Sequence, residues 1–285
     1  MGLYDTSFRH TPRSTVPGNP TEFIDWNRSN PTSESLVCFT NEQILSEERK
    51  LIPKSQRVAL LYESRDTMSW LYRDVEKVIS DFKYFFTHEK NYLEKFSNTR
   101  WIPGNGIWIG NDYGGGARGI QQKDRLLSFL TSNKQTTSLQ KLRVLLAQEL
   151  GASSQYNVDV YHRSSYAFDY ISASQCLSRY NFSIIIENTR SPWYFTEKIL
   201  NCFAVGTIPI YLGANEIDRF FNSDGIIDLL SRSQLLSEVL PALSQSYYMS
   251  KIEAVEDNFE KSLEFLSIEK VIFDTLNREL EISSY

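Results

Sequence analysis

The segment 180–221 constrains the fold of this chain more than any other stretch. An apolar run at 182–186 is followed by a polar loop, then by a helical pattern that opens at Thr196, and then by a second apolar run at 207–212. A strand, a helix and a second strand in this order build a parallel α/β sheet. Because ligands of such sheets bind beyond the carboxyl ends of the strands, the polar loop is the expected place of a functional site.

The residues of this loop are suited to an anion. Thr196 is predicted to cap the helix, whose free backbone N–H groups favour negative charge. Lys198 lies in the first turn, where it opposes the helix dipole and needs a compensating partner, which a bound phosphate would supply. Glu187 and Asn188 follow the first strand. The same features also fit an ordinary capped helix with a surface Glu–Lys pair, and the local pattern leaves both interpretations open.

The order of residues in this segment resembles the donor-binding signature of the family-10 glycosyltransferases, the α1,3/α1,4-fucosyltransferases. In that family a strand ends in F-E-N, a Tyr precedes T-E-K, and the next strand reads G-T-[IV]-P-[IV]-x-x-G. Their counterparts in this chain are Ile186-Glu187-Asn188, Tyr194, Thr196-Glu197-Lys198, and Gly206-Thr207-Ile208-Pro209-Ile210 through Gly213. So many specified positions in one ungapped stretch are far more specific than a lone glycine motif.

Two further matches lie upstream in the order that the resemblance implies. Family members carry S-N and, about ten residues on, an Arg near the start of a helix; Ser132-Asn133 and Arg143 fit this pattern. Taken alone, Arg143 would be an ordinary solvated helix residue. The family also has a strand ending in G-E-N, whose Glu is held to be the catalytic base. Here the apolar run 57–62 delivers Glu63, although the flanking Gly and Asn are replaced.

The resemblance implies a fold, a reaction and a set of site residues. The fold is α/β and GT-B-like, with two Rossmann-like lobes, the donor site in the cleft between them, and C-terminal helices. The reaction is an inverting transfer of a sugar, foremost L-fucose from GDP-fucose, onto a hydroxyl of a glycan acceptor. Glu63 would be the catalytic base. The donor would be bound by the other matched residues, which are Asn133, Arg143, Glu187, Asn188, Tyr194, Thr196, Glu197 and Lys198.

The chain is expected to have three parts. Residues 1–34 are rich in Pro, Thr, Ser and Asn and are predicted to form an irregular arm. Residues 35–122 would form a short N-terminal acceptor-side lobe, and residues 123–285 the nucleotide-sugar lobe with terminal helices. A short strand is predicted at 107–109, and the glycine-rich stretch 111–119 is interpreted as a flexible linker between the lobes.

Composition narrows the function classes. The formal net charge is −5, so no general basic surface is available to neutralise nucleic-acid phosphates. The three cysteines and three histidines are widely spaced, without a zinc pattern, so a metal is possible but not implied. Free thiols favour a cytoplasmic location, and no apolar segment is long enough for a membrane span. Gly2 fits a weak N-myristoylation pattern that often arises by chance.

Three alternatives remain open from the sequence. A related transferase could use another nucleotide sugar, for example UDP-xylose, because the motif specifies the diphosphate better than the sugar. An inactive glycan-binding or scaffold protein could retain the fold without the reaction. An NAD-linked Rossmann protein is disfavoured, because no G-x-G-x-x-G follows a strand.

Overall fold

The computed structural model describes residues 1–5, 22–111, 114–153, 155–163 and 171–282 of the 285-residue chain. The chain forms two compact units. The first unit consists of Met1–Gly106 with Phe265–Tyr285, and the second of Ile107–Glu264. These units differ from the predicted division at residue 122, because the second unit begins earlier and the C-terminal segment belongs to the first.

Each unit contains a five-stranded sheet whose neighbouring strands are all parallel. The first sheet follows chain order, with strands β1 (Gly2–Tyr4), β2 (Val37–Thr40), β3 (Arg57–Leu61), β4 (Tyr84–Thr87) and β5 (Thr99–Trp101). The second sheet has the order β10-β9-β8-β6-β7, with β6 (Arg125–Ser132), β7 (Asp159–Arg163), β8 (Tyr180–Ile186), β9 (Ile208–Leu212) and β10 (Ile227–Asp228).

The strand order of the second sheet creates a topological switch point. The chain leaves β6 for the edge strand β7 and then returns across β6 to pair β8 on its other side. The connections on the two sides of this pair therefore run in opposite directions, an arrangement that is expected to form a crevice beyond the carboxyl ends of β6 and β8. In doubly wound sheets this crevice is where ligands bind.

The helices connect and flank these strands. They are α1 (Ser69–Val75), α2 (Lys90–Lys95), α3 (Ser138–Ala152), α4 (Ala173–Leu177), α5 (Glu197–Phe203), α6 (Arg232–Gln234), α7 (Leu240–Ala242), α8 (Gln245–Met249), α9 (Ile252–Ser262) and α10 (Ile268–Ile282). A π-helical turn, Leu235–Val239, joins α6 to α7. None of the described helices combines the length and the apolar character that crossing a bilayer requires.

The unit that carries the signature segment has a core of apolar strand residues covered by helices. Phe129, Phe182 and Ile184 lie on its central strands and are fully buried. Helix α5 ends at Phe203, and in the turn that follows Gly206 adopts a φ of +70°, a conformation that suits glycine and leads the chain into β9. The strand–helix–strand arrangement predicted for residues 180–212 is therefore confirmed.

The arm predicted to be irregular contributes a strand to the first sheet. β1 pairs with β2, and Gly2 donates its backbone N–H to Leu36 O at 2.9 Å. A Cβ at Gly2 would lie 2.1 Å from Pro31 O, so only glycine fits this close approach. The nitrogen that a myristoyl group would modify is thus engaged in the sheet. Most of the rest of the arm, residues 6–21, lies outside the described residues.

The C-terminal helix α10 belongs to the first unit because its side chains bond there. Trp26 Nε1 donates to Glu269 Oε1 at 3.0 Å, and Arg100 forms an ion pair with Glu279. The rings of Trp101 and Phe265 meet edge to face at 5.8 Å. These contacts are made between residues that are more than 150 positions apart, so periodicity along the helix could not indicate them.

Two predictions around residue 110 are corrected. Residues 107–109 form no strand, because the N–H groups of Trp108 and Ile109 donate instead to Asn201 Oδ1 at 2.9 and 3.0 Å. The described part of the glycine-rich stretch is not a free linker either. Gly114 accepts from the N–H of Ser174 at 3.0 Å, which packs the loop against α4 inside the second unit.

Candidate functional site

The residues predicted to bind a donor gather at the switch point of the second sheet. Glu187 and Asn188 follow β8, and Thr196 begins α5 beside them. Arg143 projects from α3 onto the last residue of β8, and Asn133 is exposed in the loop that follows β6. Residues from the end of β8 and from two helices therefore lie together, and Asn133 follows the neighbouring strand β6, as expected for a ligand site of an open α/β sheet.

A buried carboxylate organises the start of α5. Glu187 has no exposed surface, and its Oε1 accepts from the backbone N–H of Thr196 at 2.9 Å. The Thr196 hydroxyl lies 2.8 Å from Glu187 Oε2, and Lys198 Nζ donates to that hydroxyl oxygen at 2.9 Å. Lys198 Nζ also lies 3.3 Å from Glu187 Oε2 and 3.2 Å from Glu197 Oε1. The counter-charge that Lys198 requires is therefore already supplied by two carboxylates.

The charges of this cluster depend on one another. Burial raises the pKa of the Glu187 carboxyl, an effect that the Lys198 ammonium opposes. Burial by itself would lower the pKa of Lys198, but Glu187 and Glu197 raise it above its ordinary value. Lys198 is therefore a fixed cation at neutral pH, and 23% of its side chain remains exposed, so it can still meet a ligand.

Gly213 makes room for this arrangement. A Cβ at this position would lie 2.2 Å from the hydroxyl oxygen of Tyr211 and 2.7 Å from Glu187 Cγ. The Tyr211 hydroxyl in turn accepts from the N–H of Ala214 at 3.0 Å. Gly213, which follows the second strand of the signature, is thus required because the side chains of Tyr211 and Glu187 leave no room for a Cβ.

Arg143 is buried, contrary to its reading as a solvated helix residue. It is 6% exposed, and its NH1 donates to Ile186 O at 3.0 Å. Burial lowers its pKa, with Glu187 and Glu197 acting in the opposite direction, yet a guanidinium remains charged. Its Nε is buried and has no acceptor among the described residues. A cation held at a strand end is suited to an anionic ligand that reaches its exposed edge.

The other predicted donor residues lie close to this cluster. Asn188 is half-buried, and its Oδ1 accepts from Gln140 Nε2 at 3.1 Å. Tyr194 is 2% exposed, two residues before the cap of α5. Glu197 is half-buried and is the first residue of that helix.

In the first unit, Glu63 lies just beyond the carboxyl end of β3, as predicted. It is half-buried. Its backbone N–H and that of Tyr62 both donate to Asn41 Oδ1 at 3.3 Å. Asn41 is fully buried and has a φ of +41°, a conformation that asparagine tolerates better than most residues. An amide from the end of the neighbouring strand therefore fixes the backbone that carries the Glu63 carboxylate.

The backbone of Glu63 is also held from its carbonyl side. The Tyr72 hydroxyl donates to Glu63 O at 2.6 Å, and His88 Nε2 lies 3.2 Å from the same oxygen. His88 is 1% exposed, and burial lowers its pKa to about 4, so the ring is neutral at pH 7. A neutral ring next to a carbonyl oxygen carries its proton on Nε2.

Several residues of the two clusters were not identified from the sequence. Gln140, Asn41, Tyr72 and His88 are distant in sequence from the residues that they hold. Only Gln140 had a local signal, because Thr137-x-x-Gln140 is a capping box, and the structure shows both of its bonds. Among the described residues, no group of His, Cys, Asp and Glu side chains could hold a metal ion.

Sequence comparison agrees with this geometry. Residues 120–250 match the C-terminal domain of glycosyltransferase family 10 (fucosyltransferase). An α-(1,3)-fucosyltransferase of Helicobacter pylori is 31% identical over 67 residues, 24% of this chain and 14% of that protein. A 3-galactosyl-N-acetylglucosaminide 4-α-L-fucosyltransferase of Pan troglodytes is 32% identical over 111 residues, 38% of this chain and 28% of that protein. The chain thus matches less than a third of either relative's length.

Comparison with solved structures supports the fold over most of the chain. A crystal structure of an α1,3-fucosyltransferase covers 88% of this chain and 80% of its own, with a TM-score of 0.52 at 16% identity. A second, with GDP, covers 90% and 78%, with a TM-score of 0.50 at 16% identity. The two parallel sheets and their helices are an α/β fold of the GT-B type. Residues 120–250, which match the family-10 C-terminal domain, contain the switch-point cluster.

Proposed function

We propose that the chain is a glycosyltransferase that moves L-fucose from GDP-fucose onto a hydroxyl of a glycan acceptor. The observation that carries this proposal is the meeting of Arg143, Lys198 and Asn188 beyond the carboxyl end of β8. The family match names fucosyltransferases, and the solved structure with GDP shares the fold. The curated relatives that align with the chain are fucosyltransferases that act on different linkages, which supports a glycan acceptor.

The proposed reaction is a single displacement with inversion. The acceptor oxygen forms a bond to the anomeric carbon of fucose while the bond from that carbon to the β-phosphate oxygen breaks. The electron pair of the broken bond passes to the departing GDP, whose negative charge increases. Arg143 and Lys198 are cations held in place before the ligand arrives, so they stabilise this charge with little reorganisation.

Glu63 is proposed to accept the proton of the acceptor hydroxyl. A sugar hydroxyl is a poor nucleophile near neutral pH unless a base takes its proton as the new bond forms. Glu63 is half-buried at the end of a strand, and its backbone is fixed on both sides by Asn41 and Tyr72. We therefore propose the Glu63 carboxylate, held at the end of β3, as the general base.

Ligand-induced stabilisation tests the donor assignment. Thermal denaturation would be followed with GDP-fucose, GDP-mannose, UDP-xylose, UDP-galactose, GDP and UDP. We expect GDP and GDP-fucose to raise the melting temperature most, because ligand binding to the native state stabilises it by mass action. Arg143→Ala should weaken GDP binding at least about tenfold, equivalent to about 1.4 kcal/mol.

The outcomes separate the remaining alternatives. A larger shift with UDP sugars would replace GDP-fucose by another donor. Binding of GDP-fucose without transfer to any member of a glycan array would support the inactive glycan-binding or scaffold alternative. Unchanged GDP affinity in the Arg143→Ala variant would remove Arg143 from the donor site.

We also propose that the chain works in a reducing compartment, such as the cytoplasm. Its three cysteines, Cys38, Cys176 and Cys202, are buried and form no disulfide in the structure. Thiols outside disulfides are the usual state in compartments where thiols are kept reduced.

A further inference from the structure

The orientation of the Asn188 amide follows from hydrogen bonds that begin at backbone groups. The N–H groups of Thr136 and Thr137 donate to Gln140 Oε1 at 2.8 and 3.2 Å. A backbone N–H can only donate, so the oxygen end of the Gln140 amide is held at the start of α3. The nitrogen end of the same amide is therefore the end that meets Asn188, at 3.1 Å from Oδ1.

This contact determines which end of Asn188 remains for a ligand. Because Gln140 offers an N–H, Asn188 must offer its oxygen, and its NH₂ group is the opposite end of the amide. Gln140 is 3% exposed, so water does not readily exchange for this contact, whereas Asn188 is half-buried. Among the described residues, none accepts a hydrogen bond from Asn188 Nδ2.

We propose that Gln140 is a positioning residue that makes Asn188 a hydrogen-bond donor toward the bound nucleotide sugar. Asn188 then recognises an oxygen atom of the nucleoside diphosphate, and not an N–H group of the ligand. This inference rests on the proposed function, because it assigns a polarity to one contact of the same donor site.

A second capping box in the chain separates this role from helix capping. Helix α4 begins with the same arrangement, in which Ser172 is the cap and Gln175 Oε1 accepts from its N–H at 2.9 Å. The amide nitrogen of Gln175 makes no hydrogen bond to a described residue outside that box. Gln175 is therefore a control that shares the capping-box bonds of Gln140, lies at an exposed position, and has no link to Asn188.

The test variant is Gln140→Glu. Glutamate is also a capping-box residue, so one carboxylate oxygen keeps the bonds to the Thr136 and Thr137 N–H groups. Its other oxygen can only accept, so Asn188 must turn its NH₂ group to it and present Oδ1 to the ligand. Calorimetric titration with GDP should show at least about a tenfold loss of affinity for Gln140→Glu. Gln175→Glu should keep GDP affinity within about twofold of the wild type. Because Gln140→Glu places a carboxylate at a buried position and should melt lower, all titrations are made at a temperature where every variant is folded.

A double-mutant cycle excludes a simple charge effect. The added carboxylate could repel the diphosphate from a distance, without any action through Asn188. Gln140→Glu is therefore also made in an Asn188→Ala background, where its cost should fall to within about threefold if the two residues act together. A full tenfold loss of GDP affinity in that background, or wild-type GDP affinity of the single variant, would overturn the positioning role.

If the wild type binds neither GDP, UDP nor inorganic pyrophosphate, the proposed function fails, and this inference fails with it.

Discussion

At the scale of single residues, Lys198 has two tasks that can be separated. It neutralises the fully buried carboxylate of Glu187, and it offers a partly exposed cation at the switch point. From the sequence, a lysine in the first helical turn needs a compensating partner, which could be a bound anion or a glutamate in a surface pair. The structure shows that Glu187 and Glu197 satisfy this requirement before any ligand binds.

Lys198→Met is expected to lower the free energy of unfolding by about 3 kcal/mol, because it leaves a buried carboxylate without its counter-charge. Adding Glu187→Gln to that variant should recover most of this loss, since the amide no longer needs a cation. Urea denaturation measures both effects.

GDP titration of the stabilised double variant then isolates the ligand contact. We expect its GDP affinity to remain at least about tenfold below the wild type, because the cation is still missing. If the double variant recovered GDP affinity as well as stability, Lys198 would stabilise the fold without contacting the ligand.

At the scale of elements, the candidate site residues of both sheets lie at or near the carboxyl ends of parallel strands. Glu63 follows β3 and His88 follows β4, and the two strands pair with Leu61 opposite Thr87. Asn41 follows β2 at the same edge. Alignment of strand ends therefore brings together polar residues from three segments of the chain, although none of these segments contains a recognisable motif for the cluster.

Glu63→Gln should leave GDP binding nearly intact, because the proposed donor residues all lie on other elements. Fucose transfer should fall by roughly two to four orders of magnitude, the usual contribution of a general base. The pH–rate profile should also lose its acid limb, which reports protonation of the base. Near-normal transfer by the Gln variant would assign the base elsewhere, and Glu89 and Asp66 would then be the next residues to test.

His88 should make the first unit less stable in acid. Burial lowers its pKa from 6.5 to about 4, so between these values the unfolded chain binds a proton that the folded chain does not. The free energy of unfolding should therefore fall as the pH drops from 6.5 to 4, by about 3 kcal/mol from this group. Above pH 6.5 His88 should contribute no slope.

The control for this effect is His88→Gln, whose amide can still donate to Glu63 O. A variant that unfolds more easily at every pH still serves as the control, because the comparison uses only the change of the free energy of unfolding between pH 6.5 and 4. Urea denaturation at several pH values should show a flatter dependence for the variant than for the wild type. Equal slopes would show that His88 is protonated in the folded chain.

At the scale of the whole molecule, the two units carry different parts of the proposed chemistry and all three thiols are inside them. Cys38 lies in the first unit, and Cys176 and Cys202 lie in the second. Burial raises the pKa of the Cys38 and Cys202 thiols far above their usual range, so very little thiolate forms at neutral pH.

We expect no thiol to react with iodoacetamide under native conditions, and all three to react in denaturant. Mass spectrometry of the alkylated chain measures this directly. The melting temperature should be the same with and without dithiothreitol, because no disulfide contributes to the fold. A lower melting temperature in the reductant would reveal a disulfide that the structure does not show.

The sequence by itself determined the strand–helix–strand unit of residues 180–212 and the positions of Glu187, Asn188, Thr196 and Lys198 around its polar loop. These features depend on residues within a few positions of one another, through apolar periodicity, capping and strand length. Because strand ends are local features, the place of Glu63 could also be predicted.

Only the tertiary structure decided what these residues bond to. Arg143 reaches Ile186 across 43 positions, and Gln140 reaches Asn188 across 48. The return of α10 to the first unit, and the replacement of a strand at 107–109 by bonds to Asn201, depend on similarly distant contacts. Local sequence patterns predict which side chains are present and on which helix, strand or loop they lie. The packing of elements on a common sheet decides which of those groups face one another, and therefore which of them are left for a ligand.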